Sequence, residues 1–237
     1  VARQCGGCQI QEMRYEAQLA FKQKMVQNNL ERIGGLSDFE MYPVIGMETP
    51  YAYRNKAQFP VGEDKDGNIV IGFYAGRTHH IVEQTDCCIG APENGEVLRK
   101  VRAYMQKNQI RPYNEEHHSG IVRHILIRTG YHTKEIMVCL IVNAAKASCL
   151  KNAEQLTESL REMDGMTSVM VNFNTEKTNV ILGKKSEVLW GQPYIEDFIG
   201  DVKYQISPQS FFQVNPMQTE KLYAKALEYA GLTGNET

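Results

Sequence analysis

The fold is decided by residues 121–142, IVRHILIRTGYHTKEIMVCLIV. Two runs rich in aliphatic and β-branched residues, 121–128 and 135–142, flank a polar segment that carries Gly130. Runs of this length and composition are typical of strands, and a short polar segment with glycine is typical of the turn between them. The stretch therefore predicts an antiparallel pair of strands.

Elements on both sides of this pair fit one compact domain. In chain order, the sequence predicts a helix over 15–33, a hairpin of 52–61 with 69–75, a helix over 94–108, the pair just described, a helix over 150–163, a hairpin of 168–174 with 179–183, and a helix over 216–230. The central order β-β-α-β-β favours antiparallel pairing and argues against a doubly wound parallel sheet. The predicted fold class is α+β, a compact sandwich-like central domain with an added N-terminal helix.

Composition and charge limit the possible functions. The chain has 237 residues, 42% of them hydrophobic and 23% charged, with a net charge of -2. No apolar run approaches the roughly 20 residues needed to span a bilayer, and the first residues do not resemble a signal peptide, so we expect a cytoplasmic protein. Residues 97–134 nevertheless carry eight Lys and Arg against two Glu, whereas 150–201 carry a net charge of -4. This asymmetry favours one face turned to a polyanion, although a solvated surface has a similar composition.

The six cysteines are the most informative chemical feature. They are Cys5, Cys8, Cys87, Cys88, Cys139 and Cys149. Cys139 and Cys149 lie in apolar settings and are expected to be buried. Cys5 and Cys8 form C-G-G-C, a spacing with which one tight turn can aim two thiolates at a metal, and Cys87 or Cys88 could supply another ligand. The residues alone leave a redox pair, a zinc site and an iron–sulfur cluster open.

Several segments resemble, in order, the signatures of one family. They are QCGGCQIQ at 4–11 with the helix that follows to 35, PYAYRNKAQFPV at 50–61, GFYAGRTHHIV at 72–82, TDCCIG at 85–90, IVRHILIRTG at 121–130 and SPQSFFQVNPMQTEKLY at 207–223. Together they resemble the RNA uracil-C5 methyltransferases, the 23S ribosomal RNA branch in particular. The resemblance covers nearly the whole chain.

The resemblance implies a [4Fe–4S] cluster and S-adenosylmethionine as cofactors. Cys5 and Cys8 match the second and third cluster ligands, and Cys87 matches the fourth, with Cys88 as the alternative one residue along. The family's first ligand would stand upstream of Val1. Gln213, in the F-x-Q motif, matches the glutamine that contacts S-adenosylmethionine.

The resemblance also implies a division into domains. Residues 1–205 would form the cluster-binding and RNA-binding domain, with the helix over 15–33 packed on the catalytic domain. Residues 206–237 would begin a truncated Rossmann-like methyltransferase domain. The family's nucleophilic Cys and general-base Glu would lie beyond the end of the chain, so the chain alone should be inactive.

The expected activity of the parent enzyme, a monomer with no membrane contact, is methylation of uracil C5 in 23S ribosomal RNA through a covalent Cys–C6 adduct, a step of rRNA processing. The alternatives are a transfer RNA uracil-C5 methyltransferase and a non-catalytic zinc or iron–sulfur RNA-binding module.

Basic residues on two strands are the candidates for RNA contacts. Arg54 and Lys56 lie on the first strand, and Arg123, His124 and Arg128 lie on 121–128. Residue 123 should point to one face of its strand and residues 124 and 128 to the other, so the three cannot share one surface. Each is equally consistent with an ordinary surface charge.

Overall fold

A seven-stranded sheet forms the centre of the structure, a computed structural model that describes residues 3–234. Its strands are β1 (Lys56–Glu63), β2 (Ile69–Tyr74), β3 (Ile81–Glu83), β4 (Val122–Thr129), β5 (Ile136–Val142), β6 (Met166–Phe173) and β7 (Lys185–Gly191), in the spatial order β3-β2-β1-β4-β5-β6-β7. A separate hairpin consists of β8 (Ile195–Ile199) and β9 (Val202–Ile206). The helices are α1 (Tyr15–Asn28), α2 (Asn94–Lys107), α3 (Ala153–Arg161) and α4 (Pro216–Ala230).

The sheet is covered on both faces, which explains the near-continuous apolar sequence of its central strands. Ile125 and Ile127 of β4 belong to the larger core, which includes the buried residues of α2 and α3. Leu126 points the other way, into a smaller core with Ile195 of the β8–β9 hairpin and Phe212 of the following loop. All seven residues of β5 are buried because the strand has a core on each side.

The α+β prediction is confirmed, and several elements lie where the sequence predicts them. β1 pairs antiparallel with β2, and β4 with β5. α4 begins as expected, because the side chain of Asn215 accepts a hydrogen bond from the backbone N–H of Gln218 at 3.2 Å. It ends at Gly231, whose φ of 57° is readily adopted by glycine.

Two details of the sheet differ from the prediction. β5 and β6 are parallel, because the chain crosses over through α3 between them. Residues 179–183 do not form a strand, and β6 pairs instead with β7. The amide of Asn174 donates to the carbonyls of Val180 and Ile181 at 2.7 and 2.9 Å, so a side chain holds this segment in place of a backbone ladder.

The N-terminal helix is mostly solvent-exposed in the described part of the chain. The predicted helix over 15–33 consists of α1 followed by a π-helical turn, Asn29–Ile33, and neither contains a buried residue. The hydroxyl of Tyr15 accepts a hydrogen bond from the N–H of Met47 at 2.6 Å, which ties α1 to the segment that leads to β1. Packing of this helix on a catalytic domain stays a prediction.

The predicted boundary between residues 205 and 206 lies at the end of β9, and the division into domains likewise stays a prediction. Residues 1–2 and 235–237, the outer ends of the two predicted domains, lie outside the described residues. The cluster ligand expected upstream of Val1 lies outside them as well. Within residues 3–234, no helix combines the length and apolarity needed to cross a membrane.

Candidate functional site

Four cysteines come together although 79 residues separate the two pairs. Cys5, Cys8, Cys87 and Cys88 line one cavity of about 310 Å³. The N-terminal segment reaches it by pairing with the end of β2, since Gly6 donates its N–H to the carbonyl of Tyr74 at 2.9 Å. A Cβ atom on Gly6 would lie 2.9 Å from that same carbonyl oxygen, which explains why glycine stands in the motif.

The thiols of this cavity influence one another electrostatically. Burial raises the pKa of the Cys8 thiol most, and the neighbouring thiols of Cys87, Cys5 and Cys88 raise it further, while the charge of Arg54 lowers it. Soft thiol ligands sharing one cavity suit an iron–sulfur cluster or zinc. In residues 3–234, however, no three His, Cys, Asp or Glu side chains are grouped so that they could hold a metal ion. The sulfur donors suit an iron–sulfur cluster or zinc in their chemistry, but they do not form a complete set of ligands around one point.

Of the other two cysteines, Cys139 is buried as expected, whereas Cys149 is only half-buried. Cys139 is fully buried in β5, and burial raises the pKa of its thiol. Cys149 is half-buried, and burial raises the pKa of its thiol as well. Neither residue therefore presents a reactive thiolate at neutral pH.

The first pair of predicted RNA-binding residues lies beside the segment of Gln213. Asn55, between Arg54 and Lys56, donates from its side-chain amide to the carbonyl of Gln213 at 3.0 Å. Its backbone N–H donates to the carbonyl of Val214 at 3.1 Å. Arg54 is exposed, and the side chain of Gln213 makes no hydrogen bond within residues 3–234. The strand that carries two cations and the segment that carries Gln213 are thus held together.

Lys56 is half-buried in this arrangement. Burial lowers the pKa of its ammonium group most, and the charges of Arg128 and Arg54 lower it further. The ammonium group of Lys56 therefore lies near the exposed guanidinium of Arg54 and the buried one of Arg128, and this concentration of positive charge suits a phosphate group.

The second set of predicted RNA-binding residues is buried. Arg123 is 5% exposed and donates to the carbonyls of Asn174 and Glu176, both at 2.8 Å. Arg128 is 3% exposed and donates to the carbonyls of Pro208 and Ser210. Each guanidinium therefore holds a loop, and contact of these residues with RNA stays a prediction.

A second cavity, of about 370 Å³, was not anticipated from the sequence. It lies between β2, β4 and the turn over 113–119, and its lining includes Tyr74, His79, Glu115 and His124. The rings of Tyr74 and His79 stack with their centroids 5.1 Å apart, and His79 Nδ1 lies 2.5 Å from Glu115 Oε2. The only hint in the sequence is the density of aromatic and histidine residues in 73–80 and 113–118.

His124 is an almost fully buried residue of this second cavity. Burial lowers its pKa to about 4, the charge of Arg123 contributes in the same direction, and Glu115 opposes both. The imidazole is therefore neutral at pH 7. Its Nδ1 is buried without a hydrogen-bond partner, and no hydrogen bond to its Nε2 is found within residues 3–234.

Comparison with solved structures indicates the class of protein that this chain resembles. No protein-family model matches the chain. The fold is similar to that of the crystal structure of the tRNA (uracil-54, C5)-methyltransferase of Pyrococcus abyssi in complex with S-adenosyl-L-homocysteine. The TM-score is 0.76 and the sequence identity 27%, over 94% of this chain and 50% of the archaeal one.

Curated relatives are also described as RNA methyltransferases. The chain is 47% identical over 238 residues to an uncharacterized RNA methyltransferase of Bacillus cereus, and 48% identical over 238 residues to one of Halalkalibacterium halodurans. The match covers all of this chain and 51% of each relative. A relative of the same description in Clostridium tetani is 46% identical over 98% of the chain and 50% of its own length. The chain thus spans about half the length of these relatives, and the similarities support the resemblance to RNA uracil-C5 methyltransferases.

Proposed function

We propose that this chain is the RNA-recognition part of an S-adenosylmethionine-dependent RNA uracil-C5 methyltransferase whose substrate is 23S ribosomal RNA. One observation carries the proposal. Asn55 joins the strand of Arg54 and Lys56 to the segment of Gln213 through two hydrogen bonds, at 3.0 and 3.1 Å. Cations that bind RNA and an amide that binds the methyl donor would then be positioned by one junction.

The chemistry explains why RNA and S-adenosylmethionine must be bound at one place. Uracil C5 is a poor nucleophile, so a thiolate first adds to C6, the resulting enolate attacks the methyl group of S-adenosylmethionine, and a base then removes the C5 proton. The target base must leave its stack, which costs a few kcal/mol, and the enzyme must hold the flanking RNA while it does so. We assign binding of the flanking RNA to Arg54 and Lys56, and contact with S-adenosylmethionine to Gln213.

The nucleophile and the general base belong, in this proposal, to another part of the enzyme. Cys139 is fully buried, and burial raises the pKa values of Cys139 and Cys149. The remaining four cysteines line the cavity near the N-terminus. Because two of the six cysteines are shielded and we assign the other four to this cavity, the chain alone should not methylate RNA.

We also propose that Cys5, Cys8 and Cys87 are ligands of a [4Fe–4S] cluster. Such a group would supply a structural cross-link, since methyl transfer requires no electron. The loop over 85–90 is bonded directly to the RNA-binding strand, because Arg54 donates its N–H to the carbonyl of Ile89 at 2.9 Å. Fixing this loop to the N-terminal segment would therefore fix the position of Arg54.

Variants of the two adjacent cysteines test the ligand assignment. Cys87→Ser in the full-length protein, purified without oxygen, should lose iron and visible absorbance, whereas Cys88→Ser should retain both. Iron content and the absorption spectrum measure the difference. Equal retention in both variants would contradict the assignment of Cys87.

Transfer RNA is the second candidate substrate. The structural neighbour from Pyrococcus abyssi is named for uracil 54 of tRNA. The ribosomal choice rests on the resemblance of the C-G-G-C segment to the ribosomal branch.

The decisive experiment gives the full-length protein S-adenosylmethionine and unmodified RNA that carries tritium at uracil C5. With 23S ribosomal RNA, we expect release of tritium matched by incorporation of methyl groups. Reaction with transfer RNA alone would keep the enzyme class and refute the ribosomal substrate. Reaction with neither RNA would refute the methyltransferase proposal and favour a non-catalytic RNA-binding module.

A further inference from the structure

The second cavity contains a polar group that the protein leaves unsatisfied. His124 is 7% exposed, and its neutral ring has one N–H donor and one acceptor lone pair. Neither nitrogen is hydrogen-bonded within the described chain, and Nδ1 is fully shielded from solvent. Because Nδ1 is shielded, the contact with a ligand falls to Nε2, the nitrogen that is neither hydrogen-bonded nor fully buried in the described chain. Buried polar groups are normally paired, so an imidazole with this free nitrogen at the wall of a cavity points to a ligand.

The other groups of the cavity define what that ligand must offer. Four carboxylate side chains line it: Glu63, Asp64, Glu115 and Glu116. The guanidinium of Arg123 is already bonded to the loop over 174–178 and lies 4.4 Å from the centroid of the Tyr113 ring. The stacked rings of Tyr74 and His79 add a flat aromatic wall. A planar ligand rich in N–H donors fits this combination, whereas a phosphate does not.

We propose that this cavity binds one unpaired guanine base of the RNA, an inference that rests on the proposed function. The Watson–Crick edge of guanine presents two adjacent donors, N1–H and N2–H, which match a carboxylate such as that of Glu115. Its O6 and N7 atoms are acceptors that match the N–H of His124. Adenine presents an acceptor at N1 where guanine has a donor, and uracil has a single N–H. Unpaired bases are commonly bound by stacking on aromatic side chains combined with such edge contacts.

Glu115 retains the capacity for this contact. Its Oε2 pairs with His79 Nδ1 at 2.5 Å, and its Oε1 accepts a bond from the hydroxyl of Tyr74 at 3.4 Å. Each carboxylate oxygen has two lone pairs, so one on each oxygen remains for the ligand. The existing contacts hold the carboxylate in place.

The cavity lies on the same face of the sheet as the proposed phosphate contact. Lys56 pairs with Arg128 and Pro60 pairs with His124 across β1 and β4. Residues 56 and 60 point to the same face of β1 and lie about 13 Å apart along the strand. A short stretch of single-stranded RNA can span this distance, so one strand could contact both places.

Calorimetric titration of the full-length protein with GMP, IMP and AMP tests the base preference. We expect GMP to bind about tenfold more tightly than IMP, which lacks the N2 amine, and more tightly than AMP. Glu115→Gln should lower the affinity for GMP about tenfold, because one acceptor becomes a donor. Glu158→Gln makes the same change of charge at an exposed position of α3 outside the cavity and should alter the affinity by less than about twofold. Equal affinities for the three nucleotides, no binding, or equal effects of the two variants would overturn the inference.

His124→Phe provides a second variant that should fold. Replacing an unpaired buried polar group with an apolar ring tends to preserve stability or raise it. The variant should keep its melting temperature and lose the preference for GMP. Retention of that preference would show that His124 does not contact the base.

A short RNA distinguishes an RNA base from a free nucleotide. An oligouridine hexamer with one guanosine should bind more tightly than GMP, and Arg54→Ala should weaken only the hexamer. Equal binding of hexamer and GMP would indicate a free-nucleotide site and overturn the RNA part of the inference. Methylation without any guanine preference would refute this inference alone, whereas guanine binding without methylation of either RNA would refute the proposed function alone.

Discussion

Two pairs of basic residues on neighbouring strands have opposite environments. Arg54, just before β1, is exposed and Lys56, the first residue of β1, is half-buried, and both lie beside the segment of Gln213. Arg123 and Arg128, on β4, are at most 5% exposed and bond to backbone carbonyls. A basic residue in a strand acquires its role from what covers it, so we assign phosphate contact to Arg54 and Lys56 and loop positioning to Arg123 and Arg128.

The largest effect on stability is expected from Arg128→Ala. The substitution leaves the carbonyls of Pro208 and Ser210 without their donor and creates a cavity beside the smaller core. We expect a loss of about 3 kcal/mol in the free energy of unfolding, measured by urea denaturation. Lys107→Ala, at an exposed site on α2, is the control and should change this value by less than about 0.5 kcal/mol. A similarly small change for Arg128→Ala would remove the contrast between the strands.

A pH dependence of stability should follow from His124. Its pKa is lowered to about 4 in the folded protein, against about 6.5 in the unfolded chain. Between these pH values the unfolded state therefore binds more protons than the folded state. The contribution of the neutral His124 to the free energy of unfolding is complete above pH 6.5 and is lost as the pH falls towards 4. The contribution amounts to at most about 3 kcal/mol. Comparing wild-type protein and His124→Phe at pH 7 and 4.5 isolates it, and an identical pH dependence of the two would contradict it.

The smallest effect on stability, and a clear one on binding, is expected from Arg54→Ala. Unfolding should be unchanged within about 0.5 kcal/mol, because the side chain is exposed. RNA affinity should fall several-fold, and the slope of log affinity against log salt should decrease by about 1. Filter binding at several salt concentrations measures both. Unchanged affinity at every concentration would rule out a phosphate contact by Arg54.

Local signals in the sequence predicted the elements well. Asn215 followed by Pro216 marks the start of α4 and Gly231 its end, because capping depends on a few adjacent residues. The buried face of α2 followed equally from helical spacing, with Val97, Leu98 and Val101 all inside. Information of this kind is contained within one element.

Contacts between distant segments could not be predicted in the same way. Alternation along β4 predicts opposite faces for Arg123 and His124, but a bulge between Val122 and His124 breaks the alternation and both residues line the second cavity. The loops that bury Arg123 and Arg128 lie 51 to 82 residues further along the chain. The strand predicted over 179–183 failed for a related reason, since the amide of Asn174 holds that segment. The second cavity likewise depends on β2, β4 and a turn meeting in space.

Crosslinking of RNA to the full-length protein tests the central claim most directly. Ultraviolet irradiation of the complex with 23S ribosomal RNA, followed by mass spectrometry, identifies the peptides that touch RNA. The account predicts crosslinks in the segment that holds Arg54 and Lys56, together with residues around the second cavity. Crosslinks absent from both regions, in a complex that is methylated at uracil C5, would contradict the assignment of RNA recognition to this face.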